Sequence, residues 1–88
     1  MEFEFHEAKS ERNRAKHGID FHEAEALWQD PNRLEIPART EGEPRMALIA
    51  RIRDETWTAI FTLREHRIRI ISVRRARGKE QRLYDELP

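Results

Sequence analysis

An arginine-rich stretch near the C-terminus, residues 67–77, is the first candidate for chemistry in this sequence. Apolar and charged residues alternate along it, which is typical of a β-strand with two different faces. One face is predicted to carry Ile68, Ile70, Ser72 and Arg74, and the other Arg67, Arg69, Ile71, Val73 and Arg75. A strand with arginine on both faces either lies at the edge of a sheet or builds a site for an anion.

Three further residues could transfer protons. Glu80 and Tyr84 are four positions apart, so a closing helix would place a carboxylate and a phenol on one face. The alternative is a salt bridge from Glu80 and packing of Tyr84 against the sheet. His17 can exchange a proton near neutral pH, although its position before Gly18 equally favours a role in ending a helix.

Two lysines and three other histidines complete the chemically interesting side chains. Lys9 and Lys16 are seven positions apart on one helix face, where they could neutralise developing charge or simply face solvent. His6, His22 and His66 show no paired spacing of metal ligands. No metal and no cofactor are therefore predicted.

Length and composition limit the class of protein. The chain of 88 residues is expected to form one domain, residues 1–88, with 39% charged and 38% hydrophobic residues. The absence of cysteine excludes a disulfide framework and thiolate chemistry. No apolar run reaches the roughly 18 residues of a membrane helix, and the N-terminus lacks a signal-peptide pattern. A cytoplasmic protein without a membrane partner is expected.

The two halves of the chain differ in charge, although the net charge is zero. Residues 1–43 hold 6 Lys/Arg and 11 Asp/Glu, a balance of −5, whereas residues 44–88 hold 11 and 6, a balance of +5. The C-terminal half is therefore predicted to present a cationic surface suited to phosphate. A merely solvated sheet is equally compatible with this split.

The N-terminal half is predicted to form a short strand and two helices. Residues 3–5 alternate as a strand does, and the composition of residues 7–16 favours a helix that ends at Gly18. Residues 20–28 begin with a capping box and continue with apolar residues at helical spacing. Because Pro31 ends this second helix, the pair is predicted to be a helical hairpin.

The C-terminal half is predicted to form strands joined by tight turns, because the apolar period changes to two. The elements are a brief strand at 34–36, a polar loop at 40–44, strands at 46–53 and 57–64, turns at 54–55 and 65–66, and a closing helix at 78–86.

The predicted fold class is therefore α+β. A small antiparallel sheet, a meander of three to four strands, is expected to be covered on one side by the N-terminal helical hairpin and the C-terminal helix. Trp28 and Trp57 are assigned to the core rather than to base stacking.

Two separated motifs carry a family resemblance. They are Phe5…Lys9…Asn13…Lys16-His17-Gly18-Ile19…Phe21…Glu23-Ala24 and Arg69-Ile70-Ile71-Ser72-Val73-Arg74-Arg75-Ala76…Glu80…Tyr84. Together with Gly42-Glu43-Pro44-Arg45 and Arg64 between them, this pattern resembles the BrnT toxins. Two positions depart from it: His6 stands where an aspartate that can cap the first helix is usual, and Ala50 where a glycine is common.

The resemblance implies a RelE-like ribonuclease fold and the toxin half of a type II toxin–antitoxin pair. Such toxins act as metal-independent endoribonucleases that cleave RNA and inhibit translation. The implied partner is BrnA, a small antitoxin with a ribbon-helix-helix part. The two would form a heterotetramer, and operator DNA would be bound only through that complex.

Cleavage of RNA without a metal needs a proton acceptor for the 2′-hydroxyl, positive charge around the transition state and a proton donor for the leaving 5′-oxygen. Arg64 and Arg74 are predicted to hold the scissile phosphate from adjacent strands, because a guanidinium fork matches phosphate and stays charged. Glu80, Tyr84 and His17 are the other catalytic candidates. The candidate substrate-binding residues are Lys9, Lys16, Arg69, Ser72 and Arg75. The alternative is that these cations form surface ion pairs.

Two other functions stay open at this point. A non-catalytic module could use the basic sheet to dock an acidic antitoxin tail or a nucleic acid. A DNA-binding repressor acting alone is less consistent, because the second predicted helix of a helix-turn-helix should be basic, and residues 21–28 are flanked by acids.

Overall fold

Five strands and three α-helices make up the part of the chain that the computed structural model describes, residues 1–38 and 42–86. They are β1 (Glu2–Glu4), α1 (Glu7–His17), α2 (Phe21–Ala24), β2 (Leu34–Pro37), β3 (Met46–Ile52), β4 (Glu55–Arg64), β5 (Arg67–Arg75) and α3 (Gly78–Asp85), with a 3₁₀ helix (Glu25–Gln29) directly after α2. The predicted α+β class is confirmed. None of the described helices is long and apolar enough to cross a membrane.

The first helix ends where the sequence predicts. Gly18 takes the left-handed conformation, with φ of 82°, and its N–H donates to the carbonyl oxygen of Arg14 at 2.8 Å. Glycine adopts this conformation without a steric penalty, so it terminates the helix. The helix begins at Glu7 with no capping hydrogen bond from the side chain of His6, which stands where the resemblance makes an aspartate usual.

The second helix is shorter than predicted. Its capping box is present, since Asp20 Oδ1 accepts from the N–H of Glu23 at 2.7 Å and the Glu23 carboxylate accepts from the N–H of Asp20 at 3.1 Å. After Ala24 the chain tightens into the 3₁₀ helix, whose period of three keeps Ala24 and Leu27 on the same buried side. A helical hairpin with two full arms is therefore not confirmed.

The sheet has five strands in the order β1-β5-β4-β3-β2, and it is mixed. The predicted antiparallel meander is present as β2 to β5, but the sheet as a whole is not antiparallel, because β1 adds to the edge of β5 in the parallel direction. A parallel pair between distant segments leaves no local pattern in the sequence. Two residues of the predicted loop at 40–44 lie outside the described residues.

The turn between β4 and β5 is formed by Glu65 and His66, as predicted. Both residues have positive φ, 49° and 69°, which is the type I′ pattern that matches the twist of a hairpin. The turn between β3 and β4 lies at Arg53 and Asp54, one residue earlier than predicted.

The core lies between the sheet and the N-terminal helices. Trp28 and Trp57 are both buried, as predicted, and the Trp28 ring meets Phe3 and Phe61 edge-to-face at centroid distances of 5.1 and 5.3 Å. The largest side chains that are almost fully buried include Phe21, Phe61, Leu27, Leu48, Ile49 and Val73. This burial supplies most of the driving force for folding.

The C-terminal helix packs on the other face of the sheet. Trp57 and Ala59 belong to the core, so Thr58 between them points to the opposite face, where its hydroxyl donates to Glu80 at 2.9 Å. The prediction that all helices cover one side is therefore wrong. None of the residues of α3 is fully buried, so polar contacts rather than an apolar stripe hold this helix.

A bulge in β5 changes which residues share a face. Ile70 pairs with Phe61 and Ser72 with Ile60, so Ile71 is an extra residue without a partner on β4. The prediction that Ser72 and Arg74 share a face with Ile68 and Ile70 is therefore wrong. Ile70 faces the core together with Val73, whereas Ser72 faces the side that carries α3.

Asn13 ties α1 to β5 just after the bulge. Its side-chain nitrogen donates to the carbonyl oxygens of Val73 at 2.9 Å and Ile19 at 2.8 Å, and its side-chain oxygen accepts from the N–H of Val73 at 3.2 Å. The amide group thus satisfies the outward-facing N–H and C=O of Val73 in place of a neighbouring strand. Ser10, one turn earlier, accepts from the N–H of Phe21 at 2.8 Å.

Replacing Asn13 with alanine should therefore destabilise the fold by about 3 kcal/mol, because buried backbone groups of β5 would lose their partners. Asn32→Ala, at an exposed turn, is the matched control and should cost less than about 0.5 kcal/mol. Equal free energies of unfolding for the two variants in denaturant titrations would contradict this role.

Candidate functional site

A groove of about 400 Å³ lies on the sheet face beside the start of α3. Its floor is apolar, with Ala47 and Ile60, and its walls are ionic. The polar lining residues are Arg45, Ser72, Arg74, Arg77 and Glu80. Three of these, Ser72, Arg74 and Glu80, were predicted as site residues, and the structure brings them together.

Arg74 and Glu80 form a two-pronged ion pair in this groove. Arg74 Nη1 donates to Glu80 Oε1 at 2.7 Å and Nη2 donates to Oε2 at 2.9 Å. The carboxylate also accepts from the Thr58 hydroxyl and from the backbone N–H of Arg77 at 2.8 Å. The side chains of Arg74 and Glu80 are only 22% and 16% exposed, so solvent screens this pair weakly.

These contacts fix the charge of the pair. Hydrogen bonds from Arg74 lower the pKa of Glu80 to about 2 against the opposing effect of burial, with help from the Arg77 N–H and the Thr58 hydroxyl. The same pairing raises the pKa of Arg74. While the pair is intact, Glu80 is a carboxylate of low basicity that orients the guanidinium.

Tyr84 lies one turn after Glu80 but does not line the groove. Its hydroxyl donates to Asp30 Oδ2 at 2.6 Å, and its ring lies under the guanidinium of Arg51, 5.5 Å from the ring centroid. Burial, followed by the hydrogen bond to Asp30, raises the pKa of Tyr84 to about 12. The hydrogen bond from Tyr84 to Asp30 thus holds α3 against the loop that precedes β2.

His17 and Arg75 lie on the opposite face of the sheet from Arg74. They line a cavity of about 500 Å³ at the end of α1, together with Trp57. Arg75 pairs with Glu55 at 2.8 Å and stacks on the Trp57 ring at 5.4 Å. The prediction grouped His17 with Arg74, and the structure does not bring them together.

Arg64 and Arg74 do not converge. In the β4–β5 hairpin, Arg64 pairs with Arg67 beside the turn, whereas Arg74 pairs with Thr58. The six residue steps from Thr58 to Arg64 span roughly 20 Å. The prediction that both arginines hold one phosphate is wrong, because antiparallel pairing places them near opposite ends of the hairpin.

The predicted substrate-binding lysines are also separated. Lys9 lines a small cavity of about 140 Å³ at the edge of β5 together with Arg69, whereas Lys16 lies exposed further along α1. Sequence reasoning gave no role in the groove to Arg45 or Arg77. The spacing of Glu80, three residues after Arg77, could have placed Arg77 beside the groove. A glutamate at the third position of a helix often accepts a hydrogen bond from the backbone N–H of the residue just before the helix.

Among the described residues, no group of three or more His, Asp or Glu side chains could hold a metal ion.

Residues 5–80 match the family described as "Ribonuclease toxin, BrnT, of type II toxin-antitoxin system". The family match thus places the protein in the class of ribonuclease toxins, and a type II toxin–antitoxin system implies an antitoxin partner. The chain belongs to the BrnT family, which confirms the resemblance. No curated protein matches the chain.

The low pKa of Glu80 predicts a specific acid sensitivity. A carboxylate whose pKa is lowered by folding stabilises the protein above its unfolded pKa and loses that contribution as pH falls. Glu80→Gln should therefore be less stable than the wild type at neutral pH, and the difference should shrink between about pH 4.5 and pH 2.

Glu35→Gln, on the exposed side of β2, is the control and should follow the wild-type free energy of unfolding across this range. A Glu80→Gln deficit that is the same at every pH would show that the lost stability comes from packing and not from ionisation.

Proposed function

We propose that this BrnT-family chain is an endoribonuclease that cleaves RNA in the groove beside α3 and thereby inhibits translation. One observation carries the assignment of the site: Arg74 presents a guanidinium fork in an open, cation-rich groove that also holds Ser72 and Arg77. A phosphodiester has the same two-oxygen geometry as the carboxylate that Arg74 now binds. A RelE-like arrangement of the sheet is part of this proposal.

The proposed reaction begins with an exchange of partners. The scissile phosphate takes the place of Glu80 on Arg74, and the released carboxylate loses the two hydrogen bonds from Arg74, which are the largest cause of its lowered pKa. Glu80 then becomes a stronger base beside the ribose. The substrate thus converts a carboxylate that only orients Arg74 into a candidate proton acceptor.

The bond changes need no metal. The 2′-oxygen gives its proton to Glu80 and bonds to phosphorus, and the bond from phosphorus to the 5′-oxygen breaks. The leaving 5′-oxygen takes a proton from solvent water, and Glu80 later returns its proton to the solvent, which leaves a 2′,3′-cyclic phosphate and a 5′-hydroxyl. Arg74 and Arg77 stabilise the added negative charge on the phosphorane-like transition state. Arg64, His17 and Tyr84 lie outside the groove, so this mechanism gives them no part in bond breaking.

The proposed partner is a BrnA-like ribbon-helix-helix antitoxin in a heterotetramer that alone carries affinity for operator DNA. Its carboxylates would cover the cations of the groove, since complementary charge favours such contacts. Action on translated RNA would place the complex in the cytoplasm.

Arg74→Lys should lower RNA cleavage at least about 100-fold, because lysine keeps the charge but cannot bind two phosphate oxygens in a planar fork. The measurement is the initial rate on single-stranded RNA with purified protein. Arg82→Lys, on the exposed side of α3, is the matched control and should retain the wild-type rate. Cleavage by Arg74→Lys at the control rate would remove Arg74 from the reaction.

Attack by the 2′-hydroxyl without metal makes a second prediction. Cleavage should continue at an unchanged rate in excess EDTA, and an RNA with a single 2′-deoxyribose at the cut site should not be cut there. Loss of activity in EDTA that added Mg²⁺ restores would exclude the proposed chemistry, as would a cut at the deoxyribose.

A second candidate function, a binding module without catalysis, is favoured by one observation. None of the described residues that line the groove is a histidine, and its carboxylate is fully engaged by Arg74. Such a module would bind RNA with the salt dependence of phosphate contacts but leave it intact. Purified protein that binds RNA and never cuts it, beside an active ribonuclease control, would favour this function.

A further inference from the structure

Cations continue from the groove along the face and edge of β5. Arg45 lines both the groove and the 140 Å³ cavity at the edge of β5. Arg69 lines that cavity and also a larger one, about 380 Å³, at the end of the β4–β5 hairpin. Because neighbouring depressions share these two side chains, they form one continuous surface that leads away from Arg74.

Arg69 is placed on the same face of the sheet as Arg74. It pairs with Thr62 on β4, as Arg74 pairs with Thr58, and these two threonines are four residues apart on that strand. The backbone separation is therefore roughly 13 Å. Arg69 is half-buried on β5 and takes part in none of the ion pairs among the described residues, whereas Arg74 is fully paired.

The small cavity has a positive charge balance. Lys9, Arg45 and Arg69 line it, with Glu43 as the one carboxylate among its described lining residues. The larger cavity differs, since Arg67 there pairs with Glu2 at 3.6 Å and Glu4 at 4.0 Å. The uncompensated charge is thus concentrated in a cavity whose small size suits a phosphate group rather than a base.

We infer that Lys9, Arg45 and Arg69 form a second phosphate-binding position for the RNA strand whose scissile phosphate lies at Arg74. This rests on the proposed function and deepens it: the substrate is a single strand long enough to occupy both positions. The positive charge of the cavity favours a phosphate of the RNA backbone. The distance between this cavity and Arg74 sets the minimum length of an RNA strand that can reach both positions. A dinucleotide, with its single phosphodiester, can fill only one position.

The test compares RNA lengths with 2′-O-methyl oligonucleotides, which cannot be cleaved through the 2′-hydroxyl. The wild type should bind an octanucleotide more tightly than a dinucleotide, as measured by fluorescence anisotropy. Arg69→Gln should reduce the ratio of the two affinities about tenfold. It should also reduce the magnitude of the slope of log affinity against log salt concentration by about 0.7. Arg12→Gln, exposed on α1, removes the same charge and should keep the full gain.

Thermal melting of each variant checks that the fold is intact. A wild-type gain that Arg69→Gln leaves unchanged would overturn the second position alone, and so would an equal loss in both variants. The second position would also be overturned if Arg69→Gln weakened the antitoxin complex but not RNA binding. Lys9, Arg45 and Arg69 would then contact the antitoxin and not the RNA. A wild type that binds neither oligonucleotide would overturn the proposed function together with this inference.

Discussion

In strand β5, Ile71 has no partner on β4, because Ile70 pairs with Phe61 and Ser72 pairs with the adjacent Ile60. This extra residue reverses the alternation of the strand. Without it, Ser72 would take the core position opposite Ala59 that Val73 now holds, and Arg74 would take the position of Arg75 opposite Trp57, on the face away from Glu80. The bulge therefore turns Val73 to the core and Arg74 to the face where it binds Glu80.

The two faces of the sheet are held by different kinds of contact. One face is sealed by aromatic packing and by Asn13, whose amide occupies the open edge of β5 at Val73. The other face carries α3, which is held by the Arg74–Glu80 and Tyr84–Asp30 contacts and buries none of its residues fully. A helix held in this way can yield to a polar ligand at lower cost than one packed into the core.

Much of the fold could be predicted because its signals are local. The end of α1 at Gly18 and the turn at Glu65 and His66 each depend on a few neighbouring residues. The parallel pairing of β1 and the face chosen by α3 depend on distant contacts and leave no such pattern. The separation of Arg64 from Arg74 could have been derived, because a two-residue turn forces Arg64 to pair with Arg67. The adjacent apolar residues at positions 70 and 71 were the available sign of the bulge.

In the proposed mechanism, an RNA phosphate replaces Glu80 on Arg74. A crystal structure with a bound 2′-O-methyl dinucleotide tests it most directly. We expect phosphate oxygens about 3 Å from both Nη atoms of Arg74, with Glu80 turned toward the 2′-position of the ribose. A phosphate bound by Arg75 and His17 on the other face, with the Arg74–Glu80 pair intact, would contradict it.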